Sequence, residues 1–153
     1  MGRRTFSEGT VFGVPLRTHG VVAGLLARNG TSGILFGFFF GPRRDQLPDL
    51  ESLGNLTPED AVLVGRFGHL GLRDGRWPVL GPLPSWERSR WTMPPLLRQE
   101  PITGRAFYVS YDDGDPSRFI GEEAVAEAMV GGCPSDGLMG ADFVEIRLTR
   151  LLG

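Results

Sequence analysis

Lysine is absent: all sixteen basic residues are arginine. A Schiff-base lysine, a phosphate-loop lysine and a lysine general base are thereby excluded. Cysteine is limited to Cys133, so no intrachain disulfide is possible and a reducing cytoplasm is the expected compartment. Histidine is limited to His19 and His69, and a zinc site would need both plus Cys133 or a carboxylate from distant segments; no metal or cofactor is expected. Long apolar runs are missing as well. Val21–Ala27 and Ile34–Phe40 are each too short to span a bilayer, and Arg28-Asn29-Gly30 separates them, so no membrane association is expected. Arg3-Arg4 begins like a twin-arginine export signal, but Ser7-Glu8-Gly9 follow where an apolar stretch belongs. The chain also lacks a Walker A loop, a Gly-x-Ser-x-Gly elbow, a His-Glu-x-x-His motif and any paired-cysteine motif.

What is present starts with size. A chain of 153 residues is one domain's worth, here taken as a single domain over 1–153. Hydrophobic residues at 41% and charged residues at 22% exclude intrinsic disorder. Glycine (23) and proline (12) together reach roughly twice their usual share. Each such residue inside a helix is destabilising, so a helical bundle is excluded and a turn-rich β protein is favoured.

The patterns agree. Thr10–Leu16 alternates, with Phe12, Val14 and Leu16 on one face and Val11, Gly13 and Pro15 on the other. Val21–Arg28 and Ile34–Phe40 read as two further strands, separated by the turn Asn29-Gly30-Thr31-Ser32-Gly33. Phe38-Phe39-Phe40 fits a strand buried on both faces. Gly13, Gly24 and Gly37 lie inside these strands, where glycine usually marks a bulge or bend. Thr57-Pro58-Glu59-Asp60 opens a short helical segment. Asp74-Gly75 reads as a two-residue hairpin turn pairing Leu72 with Trp77 and Leu70 with Val79. Arg105–Tyr111 alternates, with Arg118–Ile120 as its return strand. Glu122–Val130 reads as the best helix, acidic at its start and followed by Gly131; Phe143–Leu152 fits either strand or helix. The expected fold is α+β, mainly β: a strongly bent antiparallel sheet or small SH3-like barrel with one or two short helices.

The net charge of −2 conceals a segregation. Residues 1–111 hold thirteen Arg and nine acids, a net +4; residues 112–145 hold nine acids and Arg118, a net −8; Arg147 and Arg150 restore +2. Isolated pairs such as Arg43-Arg44 make no basic footprint, so no nucleic-acid partner is expected. The acidic block reads either as a solvated face or as a surface steering a basic protein partner. Its candidate contacts are Asp112, Asp113, Asp115, Glu122, Glu123 and Glu127. Trp86 and Trp91, in an irregular proline-rich stretch, are either interface anchors or a lid over the open end of a barrel. The Asp112-Asp113-Gly114-Asp115 run lacks EF-hand spacing and is a hairpin loop rather than a calcium site.

Three segments, Gly9-Thr-Val-Phe-Gly-Val-Pro-Leu16, Leu72-Arg-Asp-Gly-Arg-Trp-Pro-Val-Leu-Gly81 and Gly140-Ala-Asp-Phe-Val-Glu-Ile-Arg-Leu148, occur in the order of the immunity protein 26 family, which the chain resembles over most of its length. Members of that family are found beside polymorphic toxins in bacteria. The resemblance implies an antitoxin that binds a cognate protein toxin and blocks its active site or substrate access, without catalytic residues of its own. Two alternatives stand beside it: a small metal-dependent phosphoester hydrolase using His19, His69 and a carboxylate, and a ligand-binding β-barrel module with Trp77, Trp86 and Trp91 lining a pocket.

Overall fold

The structure, a computed structural model, describes residues 5–126 and 133–153. The three alternating segments at the start of the chain form β1 (Thr10–Pro15), β2 (Val21–Asn29) and β3 (Ile34–Arg44). They are followed by β4 (Leu63–Gly68), a single helical turn α1 (Leu70–Arg73) and β5 (Val79–Pro82). These strands make an antiparallel sheet in the order β4-β3-β2-β1-β5. A second antiparallel sheet, β6-β7-β8, comprises β6 (Leu96–Gln99), β7 (Ala106–Asp112) and β8 (Asp115–Val125). The final helix, α2, spans Ala141–Leu152. Neither sheet closes on itself, so of the two expected arrangements the open sheet is the one adopted, not the barrel. Among the described residues no helix is long and apolar enough to cross a membrane.

Both faces of the larger sheet are covered, which explains why its strands are so apolar. On one face Phe12, Val14, Phe39, Phe67 and Trp77 pack under α2, which contributes Val144 and Leu148. On the other, Val11, Ala23, Phe36, Phe38 and Phe40 pack against Leu53, Leu83, Trp91 and Leu96. The Phe38–Phe40 run therefore sends rings alternately into two cores, as strand periodicity requires.

Gly37, paired with Leu26, borders the β2–β3 register shift as a strand glycine is expected to, and both Gly24 and Gly37 make room for aromatic rings. The register shifts of β2 lie between Val21 and Ala23 and between Leu26 and Arg28, not at Gly24. Gly24 sits opposite Phe12, and a Cβ there would lie 2.5 Å from the Phe12 ring. A Cβ on Gly37 would lie 2.6 Å from the Phe67 ring. These glycines leave room for an aromatic cluster in which Phe12 stacks on Trp77 at 5.7 Å and Phe39 meets Phe67 edge-on at 5.3 Å.

Two expected elements are replaced. The Asp74-Gly75 hairpin does not form: Leu70–Arg73 is helical, and β5 pairs with β1 through Thr10↔Pro82 and Phe12↔Val79. The Asp-Gly signal specifies a local turn, and Gly75 does take a φ of 84°. Which segment pairs with Val79 is decided by the burial of Trp77, whose backbone N–H donates to Gly71 O at 2.8 Å and whose ring passes where a Gly71 Cβ would stand. Glu122–Val125 lies in strand β8, not in a helix, with Tyr108↔Glu123 and Val109↔Glu122 in register. The helix preference of Glu and Ala is worth a few tenths of a kcal/mol per residue. Extending the ladder along β7 supplies backbone hydrogen bonds that outweigh it, and Gly121 further weakens a helix there. The end of that expected helix, residues 127–130 with Glu127, Ala128 and Met129, and the Gly131 after it lie outside the described residues. The ambiguous closing segment is helical, because Val144 and Leu148, four residues apart, are the pair that reaches the core.

Candidate partner-binding surface

Long-range ion pairs account for much of the charge segregation. Arg28 on β2 is 1% exposed; its Nη1 donates to Ala27 O at 2.7 Å and its Nε to Asp113 Oδ1 at 3.1 Å. Arg88 holds the same aspartate from the proline-rich stretch, at 2.5 Å to Oδ2, while donating to Glu8 at 2.7 Å. These hydrogen bonds, Arg88 first and Arg28 next, keep the Asp113 carboxyl below its ordinary range. On the opposite face, Glu145 of α2 is 5% exposed and accepts from Arg17 Nε at 3.0 Å, Arg76 Nε at 2.8 Å and the Trp77 indole N–H at 2.8 Å. Asp142 accepts from Arg17 and Arg76 as well, chiefly Arg76, which depresses its carboxyl. Between the sheets, Arg66 lies 4.1 Å over the Tyr111 ring and donates to Asp136 O at 2.9 Å. Arginines from the positive first part of the chain thus meet carboxylates from the negative last part.

Several of the expected contact residues have partners within the molecule. Asp113 is engaged by Arg28 and Arg88, and Glu122 pairs with Arg98. Asp112 accepts the Gly114 N–H at 3.1 Å within the hairpin loop, and Asp115 accepts from Ser117 Oγ at 2.6 Å. Glu123 is exposed on β8, and Glu127 lies outside the described residues. Trp91 is 3% exposed, with its ring 5.1 Å from Phe38, because the proline-rich stretch folds back over the second core. Trp86 is half-buried in the same cluster, over Gly9.

The two alternative chemistries find little support in placement. His19 is exposed in the turn after β1, whereas His69 precedes α1 and rests against Gly33. Among the described residues no three His, Cys, Asp or Glu side chains come together as a metal-binding set. Trp77 and Trp91 belong to opposite cores and so cannot line one pocket.

A feature without a signal in the sequence is an open groove of about 730 Å³ beside β4. One wall is Ala61–Val64, another is the segment from Cys133 to Met139, and the third is α2 through Phe143 and Arg147. Val62, Leu138 and Phe143 are respectively 40%, 52% and 55% exposed, an unusual concentration of large apolar side chains at a surface. No periodicity links three such distant segments, so only tertiary structure assembles them.

Residues 7–107, about two-thirds of the chain, match the family model described as Immunity protein 26. No curated protein and no solved structure matches the chain.

Proposed function

The chain belongs to the immunity protein 26 family, and on that premise we propose that it neutralises a cognate protein toxin by binding it stoichiometrically, without turnover, in the cytoplasm of the cell that makes both. Family membership carries the reading. The internal chemistry supports it: the clustered ionisable groups that could otherwise suggest catalysis, Arg28 with Asp113 and Arg76 with Glu145, are tied to one another as framework. The apolar groove beside β4 suits a protein segment better than a small polar substrate.

Co-expression with the toxin domain encoded beside it tests the proposal. Growth is rescued, and titration of the purified toxin domain's activity reaches full inhibition at one equivalent. Progressive loss of toxin activity at substoichiometric amounts would show turnover and overturn it.

A further inference from the structure

The groove exists because the chain leaves β4 partway along its outer edge. At the far end of β4, Met139 N–H donates to Arg66 O and Gly68 N–H donates to Met139 O, both at 3.0 Å, forming a parallel bridge. Upstream, the segment diverges toward the other sheet, where Leu97 N–H donates to Pro134 O at 2.7 Å and Asp136 N–H to Leu97 O at 2.8 Å. Strand alternation places the Val64 N–H and C=O on the same outer edge as those of Arg66 and Gly68. Among the described residues no backbone group pairs with Val64 on that side. A short stretch of strand edge therefore lies open at the floor of an apolar groove, where an added strand would complete the ladder.

Charge indicates the occupant. Arg147 stands one helical turn beyond Phe143 in the groove wall, with Arg150 one turn further. Neither has an ion-pair partner among the described residues, in contrast with Arg17 and Arg76, which hold α2 from its other side. Apolar side chains flanked by unpaired guanidinium groups fit an apolar segment that also carries a carboxylate. The family match ends at residue 107, so the β4 edge lies within the shared region and the wall formed by residues 133–147 lies outside it.

We infer that the groove between β4 and α2 is the toxin-docking site: it takes an extended, acidic and apolar segment of the cognate toxin, which adds to β4 at Val64 and sets a carboxylate on Arg147. This inference rests on the immunity reading above.

The probe is the toxin domain encoded beside this chain, with its own catalytic residue replaced, titrated calorimetrically into wild-type protein and four variants. Leu138→Asp and Phe143→Asp alter side chains more than half exposed, and thermal melts verify that each variant folds. Each is expected to weaken binding at least about tenfold, and Arg147→Glu about tenfold with a reduced salt dependence. Glu123→Arg, on the remote β8, leaves affinity unchanged. Hydrogen exchange at the Val64 amide slows in the complex. Tight wild-type binding that survives all three groove substitutions overturns the docking site while leaving the immunity reading intact, and a loss confined to Glu123→Arg returns the contact to the acidic strand. A wild-type chain that neither binds nor inhibits the toxin overturns both. A wild-type dimer that Phe143→Asp converts to monomer assigns the groove to self-association and overturns the toxin site.

Discussion

Glu145→Leu tests the attachment of α2 to the larger sheet. The carboxylate is almost fully buried and accepts three hydrogen bonds, one of them from Trp77, whose side chain is 0% exposed. Leucine fills a similar volume but leaves the indole N–H without an acceptor, at a cost of about 1–3 kcal/mol for a buried donor. Arg17 and Arg76 each lose a partner, but their side chains are 45% and 40% exposed, so water replaces most of what is lost and each contributes at most about 1 kcal/mol. The expected destabilisation is about 2–4 kcal/mol, or a fall in Tm of roughly 5–15 °C for a domain of this size. Urea unfolding followed by tryptophan fluorescence measures it. Glu145→Gln, which keeps one carbonyl oxygen within reach of the indole, should cost clearly less than Glu145→Leu. A double-mutant cycle with Trp77→Phe should show coupling of about 1 kcal/mol or more. A loss below about 1 kcal/mol for Glu145→Leu, or equal losses for Leu and Gln, would refute the acceptor role.

Three further perturbations probe separate parts of the fold. Gly24→Ala places a methyl group 2.5 Å from the Phe12 ring and should cost about 1–3 kcal/mol, whereas Gly121→Ala, with nothing within 4 Å, should be near neutral; equal urea midpoints would contradict the ring-seating role. Asp113 is held below its ordinary value of 3.8 by Arg88 and Arg28, so its stabilisation is present above about pH 4 and is lost as pH falls through the lower folded value. Asp113→Asn should therefore lower the urea midpoint at pH 7 and make much less difference at acid pH, a result that a pH-independent deficit would exclude. Burial, then the hydrogen bond donated to Asp136, pushes the Tyr111 hydroxyl up from 10.0 to about 12, so stability should decline as pH rises from 10 toward 12. Tyr111→Phe should flatten that alkaline decline in circular-dichroism melts; an unchanged slope would assign it elsewhere.

The acidic block shows how charges separated along a chain can meet in the fold. The segregation along the chain is present, but it is resolved largely inside the molecule, by pairs such as Arg17 with Glu145 and Arg28 with Asp113. A one-dimensional count cannot distinguish charges that await a partner from charges that find each other across 85 or 128 residues of chain. Arg147 and Arg150 on α2, without an ion-pair partner among the described residues, are inconspicuous in the sequence because the acids beside them cancel their sum.

Local alternation was enough to place β1, β2 and β3, to orient Phe12 and Val11 toward opposite sides, and to bury Phe38–Phe40 twice over, because a strand's period depends only on its own backbone. Two of the three segments that resemble the immunity protein 26 family, Gly9–Leu16 and Leu72–Gly81, fall within the matched residues 7–107, and Gly140–Leu148 lies beyond them. Pairing partners were not legible. Asp74-Gly75 makes a turn in any context, yet Val79 pairs with Phe12 rather than its neighbour, because Trp77 gains more by entering the aromatic core than a local hairpin could return. Glu122 and Glu123 joined a strand because β7 offered a ladder that local helix preference could not match. The groove lies furthest from the sequence: Val62, Leu138 and Phe143 share no period or motif, and become one surface only where the chain turns away from β4.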